Sequence, residues 1–292
     1  MHPFAYARPD KLDGVLSILN EHGPAARLLA GGTDLIVRMR LGHIRPAVVV
    51  DPKHVSDLSG EIVTTGHGVQ VGARVTMTMV IEDARMREHF PALVEAASVV
   101  GSIQIRNRAT LAGNICNASP AADTVPALLI YGAVVNIVGS GGARRVPLTE
   151  FLTGPGKTVL ARGELVQSID LRFPEEPAGA AFGRITRRRG VDLATVNLCG
   201  LVTASGESRF AYGAVGPTAF LSVDSSGLLG DRPIDEGRRA AAFRALVAPA
   251  RPITDVRGGR DYRTAMLEVM TRRTWTKAIE RLRRQTNGGR PV

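Results

Sequence analysis

Leu28-Leu29-Ala30-Gly31-Gly32-Thr33-Asp34-Leu35 is the stretch on which the fold turns. A short apolar run ends in two adjacent glycines, as a strand does when it enters a tight turn. Paired glycines let the backbone bend sharply and bring successive N–H groups close to an anion without a charged side chain. The Thr33 hydroxyl can add one hydrogen bond. The spacing fits neither the Walker A loop nor the dinucleotide fingerprint. Taken alone, the segment reads equally well as an anion cradle or as a plain turn.

A second segment is Thr110-Leu111-Ala112-Gly113-Asn114-Ile115-Cys116-Asn117-Ala118-Ser119-Pro120-Ala121-Ala122-Asp123-Thr124-Val125-Pro126. Small residues dominate it, so a ligand could come close to the backbone. Thr110, Asn114, Ser119 and Asp123 supply polar groups. Asp123 suits a ribityl or ribose hydroxyl, because a carboxylate accepts from two O–H donors. The alternative is a polar loop joining helix to helix. A structureless loop of about 17 residues is uncommon unless it is functional.

Around these segments the hydrophobic pattern alternates between helix and strand. Leu12, Val15, Leu16 and Leu19 fall at helical spacing, predicting a helix over 9–22 closed by Gly23-Pro24. Strands are expected at 27–30, 43–51 and 165–173, with hairpins around His67-Gly68 and Ser140-Gly141-Gly142. Residues 79–100 carry helical material. Composition changes at Pro174-Glu175-Glu176-Pro177, which divides the chain into residues 1–176 and 177–292. Beyond it come three strand-like runs, 180–187, 196–205 and 207–215, then helices over 235–248 and 261–284. In the last helix Tyr262, Met266, Val269, Ile279 and Leu282 are expected to face the core. Residues 287–292 read as a frayed tail. The class is α+β, with a small C-terminal domain of antiparallel strands and helices.

At 292 residues, 44% hydrophobic and 22% charged, the chain reads as a two-domain globular protein. No signal-peptide run follows Met1 and no stretch of about 18 apolar residues occurs, so a cytoplasmic protein without a membrane span is expected. Two cysteines, Cys116 and Cys199, cannot build a disulfide framework, a four-thiolate zinc site or an iron–sulfur cluster. The net charge of +10 is concentrated from Arg257 onward, where ten basic residues face three acids; Arg184, Arg187, Arg188 and Arg189 form a second cluster. Aromatic content of 4% offers few stacking platforms, so no nucleic-acid partner is expected. A protein-docking face is the expected use of the basic end.

Together the two segments resemble the FAD-binding medium subunit of the molybdenum hydroxylases, the xanthine, aldehyde and carbon monoxide dehydrogenase family. Further matches are Arg187-Arg188-Arg189-Gly190-Val191-Asp192-Leu193-Ala194-Thr195-Val196, Gly213-Ala214-Val215-Gly216-Pro217-Thr218 and Asp255-Val256-Arg257-Gly258 with Asp261-Tyr262-Arg263. The likeness covers nearly the whole chain in family order. It implies a two-part FAD-binding domain of the vanillyl-alcohol oxidase and p-cresol methylhydroxylase type. Leu28, Leu29, Ala30, Gly31, Gly32, Thr33, Asp34 and Leu35, with Thr110, Ala112, Gly113 and Asn114, would then hold the pyrophosphate. Ser119 belongs to the same binding segment, and Asp123 would take the ribityl chain or the neighbouring sugar. Leu165 and Val166 would line the flavin. Val100 stands where relatives can place an aromatic residue, and Arg184 where xanthine dehydrogenases tend to have a lysine close to the isoalloxazine. Ala112 departs from a common glycine, and its methyl is tolerable only at negative φ.

The resemblance further implies an electron relay without catalytic or metal-ligating residues in this chain. A large molybdenum-binding subunit and a small [2Fe–2S] subunit would be its partners, in a dimer of heterotrimers. Electrons would pass through FAD to NAD or another acceptor. The alternatives are a self-sufficient flavin oxidoreductase and a non-catalytic basic binding protein. All six histidines precede the second segment, which disfavours an independent catalytic centre in the C-terminal domain.

Overall fold

A computed structural model describes residues 1–287. The expected frayed tail lies, from residue 288 on, outside the described residues. In chain order the first elements are β1 (Ala5–Ala7), α1 (Leu12–His22), β2 (Ala26–Leu28), α2 (Leu35–Arg40), β3 (Val48–Val50), β4 (Ile62–Thr65) and β5 (Gly68–Gly72). Helices α3 (Met77–Glu82), α4 (Ala84–His89), α5 (Pro91–Ser98), α6 (Ile103–Arg106), α7 (Leu111–Asn117) and α8 (Thr124–Ile130) follow. Then come β6 (Val134–Gly139), β7 (Gly142–Pro147), α9 (Leu148–Phe151), β8 (Leu152–Gly154), β9 (Lys157–Thr158) and β10 (Leu165–Arg172). The chain closes with β11 (Ala178–Ile185), β12 (Val196–Thr203), β13 (Ser208–Gly213), β14 (Phe220–Asp224), α10 (Glu236–Val247) and α11 (Arg260–Thr286).

Two compact units interleave along this order. The first comprises residues 1–80, 102–118 and 133–172; the second comprises 81–101, 119–132 and 173–292. Segments 81–101 and 119–132, which the sequence groups with the N-terminal domain, therefore pack within the second unit.

The first unit holds a parallel sheet, β1-β3-β2, and an antiparallel sheet, β4-β5-β10-β6-β7. Val48-Val49-Val50 is buried on both faces, as a central parallel strand of β-branched residues should be. Val15, Leu16 and Leu19 of α1 join Val48, Val50, Val55, Leu58 and Leu165 in one core cluster. Both expected hairpins form: Ile62 pairs with Val71, and Val135 with Val146.

The second unit is the antiparallel sheet β11-β12-β13-β14 with a helix layer on each face. On one face Ala181 and Val202 pack with Ala278, Ile279 and Leu282 of α11. Gly183 makes that approach possible, since a Cβ there would lie 2.7 Å from Thr274 Oγ1. Helix α8, buried along its whole length, covers the other face. The expected core face of α11 is only partly right: Ile279 and Leu282 are buried, but Tyr262 is 48% and Val269 38% exposed. Arg263, Leu267, Met270 and Ala278 point inward instead. Arg263 is 2% exposed and donates to Asp255 Oδ1 (2.7 Å), Ala214 O (2.8 Å) and Thr195 O (2.5 Å). A guanidinium this well satisfied can occupy a core position, which hydrophobic periodicity does not register.

Glu95 on α5 draws the same unit together. It accepts from Lys277 Nζ (2.7 Å), from both terminal nitrogens of Arg281 and from the Phe182 N–H (3.0 Å). Burial pushes its pKa up, but the donors from Arg281, Lys277 and Phe182 outweigh burial and hold it below the usual 4.5. Its stabilisation is therefore complete above pH 4.5 and is lost as pH falls through the lowered value. Glu95→Gln should destabilise the protein by about 2 kcal/mol at neutral pH. Denaturant titrations should show that the gap between wild type and variant closes in acid.

Candidate functional site

The glycine segment departs from the parallel sheet. Leu29 N–H donates to Val50 O (2.7 Å), carrying the β2–β3 pairing one residue beyond β2. Gly32 then adopts φ +74°, the left-handed region that glycine enters at no steric cost. The Ile36 N–H returns to Gly32 O (3.0 Å) and launches α2, an element the sequence pattern did not announce. Gly31 lies against the chain that enters the second segment. A Cβ there would overlap the Arg108 carbonyl oxygen and stand 2.8 Å from Ala109 Cα. Only glycine allows the two segments to touch at this point.

The second segment is not a loop. It folds as α7 and the start of α8, joined by residues 118–123, and Thr110 caps α7 with Oγ1 accepting the Gly113 N–H (3.0 Å). Thr110 also bridges Thr76, between Met77 N–H to Ala109 O (2.9 Å) and Leu111 N–H to Val75 O (3.1 Å). A Cβ on Gly113 would lie 3.6 Å from Ala30 Cβ, so the start of α7 abuts the glycine segment. Ala112 is helical and at negative φ, which accommodates its methyl.

Among the described residues, the backbone N–H groups of residues 30–35 donate to no acceptor. All but Asp34 of these residues are half-buried. A run of undonated N–H dipoles in a half-buried, glycine-bent loop has the geometry of a candidate anion-binding nest. The structure thus brings Leu28 to Leu35 together with Thr110, Ala112, Gly113 and Asn114. Leu165 and Val166, on β10, are both buried, and Leu165 sits in the core beneath α1. A polar cavity of about 460 Å³ over the antiparallel sheet, lined by Gln70, Asn136, Arg144 and Arg145 among others, shares no residue with the nest.

The other expected residues, Val100, Ser119, Asp123 and Arg184, lie in the second unit. Arg184, Asn197 and Gly213 are direct cross-strand neighbours on β11, β12 and β13. Asp123, at the start of α8, sits over this row. It accepts from Arg184 Nη1 at 2.7 Å and from Asn197 Nδ2 at 2.8 Å. Arg184 also donates to Val99 O and Asp192 O, both at 3.2 Å. Burial raises the Asp123 pKa, and the partly compensating Arg184 charge and Asn197 hydrogen bond do not cancel it. Val100 follows α5, and Ser119 Oγ accepts the Ala121 N–H (3.3 Å). Asn197 was missed by the sequence reading. Its signal is a fully buried amide within the otherwise apolar Val196-Asn197-Leu198-Cys199. Its Oδ1 has no hydrogen-bond partner and faces Gly213, where a Cβ would collide with it. Among the described residues no group of three or more His, Cys, Asp or Glu is placed to hold a metal, and no helix is long and apolar enough to cross a membrane.

The nest falls inside residues 2–174, which match the FAD binding domain in molybdopterin dehydrogenase. Residues 181–278 match the CO dehydrogenase flavoprotein C-terminal domain. The chain belongs to the FAD-binding subunits of the molybdopterin-dependent xanthine and carbon monoxide dehydrogenase family, multi-subunit oxidoreductases of the molybdenum hydroxylase type. It is 31% identical to the xanthine dehydrogenase FAD-binding subunit of Escherichia coli O157:H7, over 96% of this chain and 97% of that one. It is also 31% identical to the carbon monoxide dehydrogenase medium chain of Hydrogenophaga pseudoflava, over 95% and 98%. A solved carbon monoxide dehydrogenase from Hydrogenophaga pseudoflava, lacking the Mo-pyranopterin moiety of its molybdenum cofactor, superposes with a TM-score of 0.89 at 29% identity, covering 96% of this chain and 99% of that one. The expected α+β architecture, a VAO/PCMH-type FAD domain followed by a small sheet-and-helix domain, is the one found.

Gly31→Ala should force the two segments apart. At a strain of about 1–3 kcal/mol, FAD affinity should fall about tenfold or more, measured by equilibrium titration of the flavin-free protein.

Proposed function

We propose that this chain holds FAD and serves as an electron-transfer subunit between [2Fe–2S] clusters in a small partner subunit and NAD or another acceptor. A large partner would carry the molybdenum centre, in a dimer of heterotrimers located in the cytoplasm. The observation that carries this reading is the run of undonated N–H groups from Ala30 to Leu35, built into a matched FAD-binding domain. The donor set fits a pyrophosphate, which needs several convergent N–H groups and close backbone approach. When bound, FAD supplies the redox chemistry that couples one-electron donors to a two-electron acceptor.

The chain's own residues then act by binding and shielding. Gly31, Gly32, Thr33, Asp34 and Leu35 would offer N–H groups to the phosphate oxygens, with Thr110 fixing the helix start beside them. Asp123 would accept a hydroxyl of the ribityl chain or sugar, since its oxygens keep lone pairs beyond those taken by Arg184 and Asn197. Leu165 and Val166 would supply apolar surface near the flavin, as would Val100. Arg184, locked by Asp123 and two carbonyls, would present an already compensated cation rather than a mobile one.

Purified protein should carry flavin absorbance, or regain it with added FAD, and should co-purify with a molybdenum subunit and a cysteine-rich subunit. A colourless protein that takes up no FAD would sink the reading. Substrate-dependent turnover by the chain alone would replace it with a self-sufficient flavin oxidoreductase. Asp123→Ala should weaken FAD retention, seen as faster flavin loss on gel filtration; unchanged retention would remove Asp123 from the binding residues.

A further inference from the structure

The nest works only if its peptide dipoles converge before the ligand arrives, and one cation outside the glycine segment bears on that. Lys53 Nζ lies 2.6 Å from Asp51 Oδ1 and donates to the Leu29 carbonyl oxygen at 3.3 Å. Asp51, just beyond β3, is itself nearly buried and fixed. Its Oδ2 accepts the Tyr6 hydroxyl (2.6 Å), its Oδ1 accepts the Lys53 N–H (3.0 Å), and its N–H donates to Ala7 O (2.8 Å). The Lys53 carbonyl in turn accepts from Arg74. The ammonium is therefore held by Asp51 and the Leu29 carbonyl, while Tyr6 of β1 fixes Asp51 and Arg74, in the turn after β5, fixes the Lys53 backbone.

No peptide bond among the described residues is cis, so the Leu29 carbonyl and the Ala30 N–H point in opposite directions across one planar unit. Fixing the carbonyl on Lys53 aims the Ala30 N–H away from Lys53. Leu29 N–H, bonded to Val50 O, fixes the preceding peptide. From these contacts we infer that Lys53 is a positioning residue for the anion-binding loop, orienting the Leu29–Ala30 peptide for FAD. The inference rests on the proposal that residues 30–35 take the pyrophosphate. It explains why a lone lysine, in a chain with four lysines and thirty-three arginines, is half-buried against a glycine-rich loop. A compact ammonium reaches a single carbonyl while holding a carboxylate, a geometry that a planar fork serves less well. Preorganisation of this kind raises affinity without a direct ligand contact.

The test is FAD binding by the flavin-free full-length chain, followed by flavin fluorescence, with thermal unfolding of the same samples with and without FAD. Lys53→Met should bind FAD about tenfold more weakly, the loss equivalent to one charge-assisted hydrogen bond. Its unfolding midpoint without FAD should fall modestly, because Asp51 loses its cationic partner, and the FAD-induced rise should shrink as well. Tyr6→Phe, which loosens Asp51 but leaves the lysine, should show the same pattern more weakly and serves if Lys53→Met does not fold. Equal affinity in wild type and Lys53→Met overturns the inference and leaves the FAD nest standing. A lower FAD-free midpoint with an undiminished FAD-induced rise also overturns it, since that would mark a merely stabilising ion pair. Failure of the wild type to bind FAD would instead overturn the nest itself.

Discussion

The contact between Gly31 and the Arg108 carbonyl is the constraint on which the first unit's site depends. Because residue 31 has no side chain, the chain entering Thr110 can lie directly against the glycine turn. That approach seats Thr110 on Thr76, lets its hydroxyl cap α7, and sets Gly113 beside Ala30. The backbone N–H groups of residues 30–35 are then left in a half-buried loop without internal acceptors. A nest is normally an unfavourable arrangement of like dipoles, and the β2–β3 pairing through Leu29 holds it in place. The loop thus presents backbone N–H groups, placed by small residues, rather than charged side chains.

What could be read from the sequence follows from what leaves a periodic mark. The buried Val48-Val49-Val50 strand, both hairpins of the antiparallel sheet and the long C-terminal helix are written in runs, alternation or turns. The glycine segment and the small-residue segment stand out by composition alone, although each also allows a plain turn or loop. Helices α2 and α7 were not visible, because their starts depend on a tertiary contact at Gly31 and on the Thr110 cap. The inward turn of Arg263 was hidden for a related reason: its acceptors are carbonyls of Thr195 and Ala214 and the Asp255 carboxylate, all distant or non-periodic in sequence. Asn197 shows the same limit, since nothing in an apolar strand says that Asp123 will lie over it.

The strong basic bias acquires a different meaning in three dimensions. Arg257 and Arg263 share Asp255, whose carboxyl the Arg257 hydrogen bonds hold far below the usual range. Lys277 and Arg281 share Glu95, Arg283 meets Asp231, and Arg272 reaches Glu236. Several cations of the C-terminal stretch are therefore paired within the chain, one acid often serving two bases, although Arg272, Lys277 and Arg283 stay largely exposed. Arg184 follows the pattern through Asp123, with Asn197 as a neutral third member.

The interleaving of the two units bears on how such a protein could have been assembled and can be altered. Helices α5 and α8, which cover the second unit's sheet, are encoded between pieces of the first. Cutting the gene after residue 176 would leave Arg281 and Lys277 without Glu95, and Arg184 without Asp123. It would also strip the apolar α8 from the sheet it covers. The halves are thus not exchangeable cassettes. Shuffling between relatives should respect five chain crossings rather than one linker, and recombination inside the gene would be tolerated only where both sides of each crossing travel together.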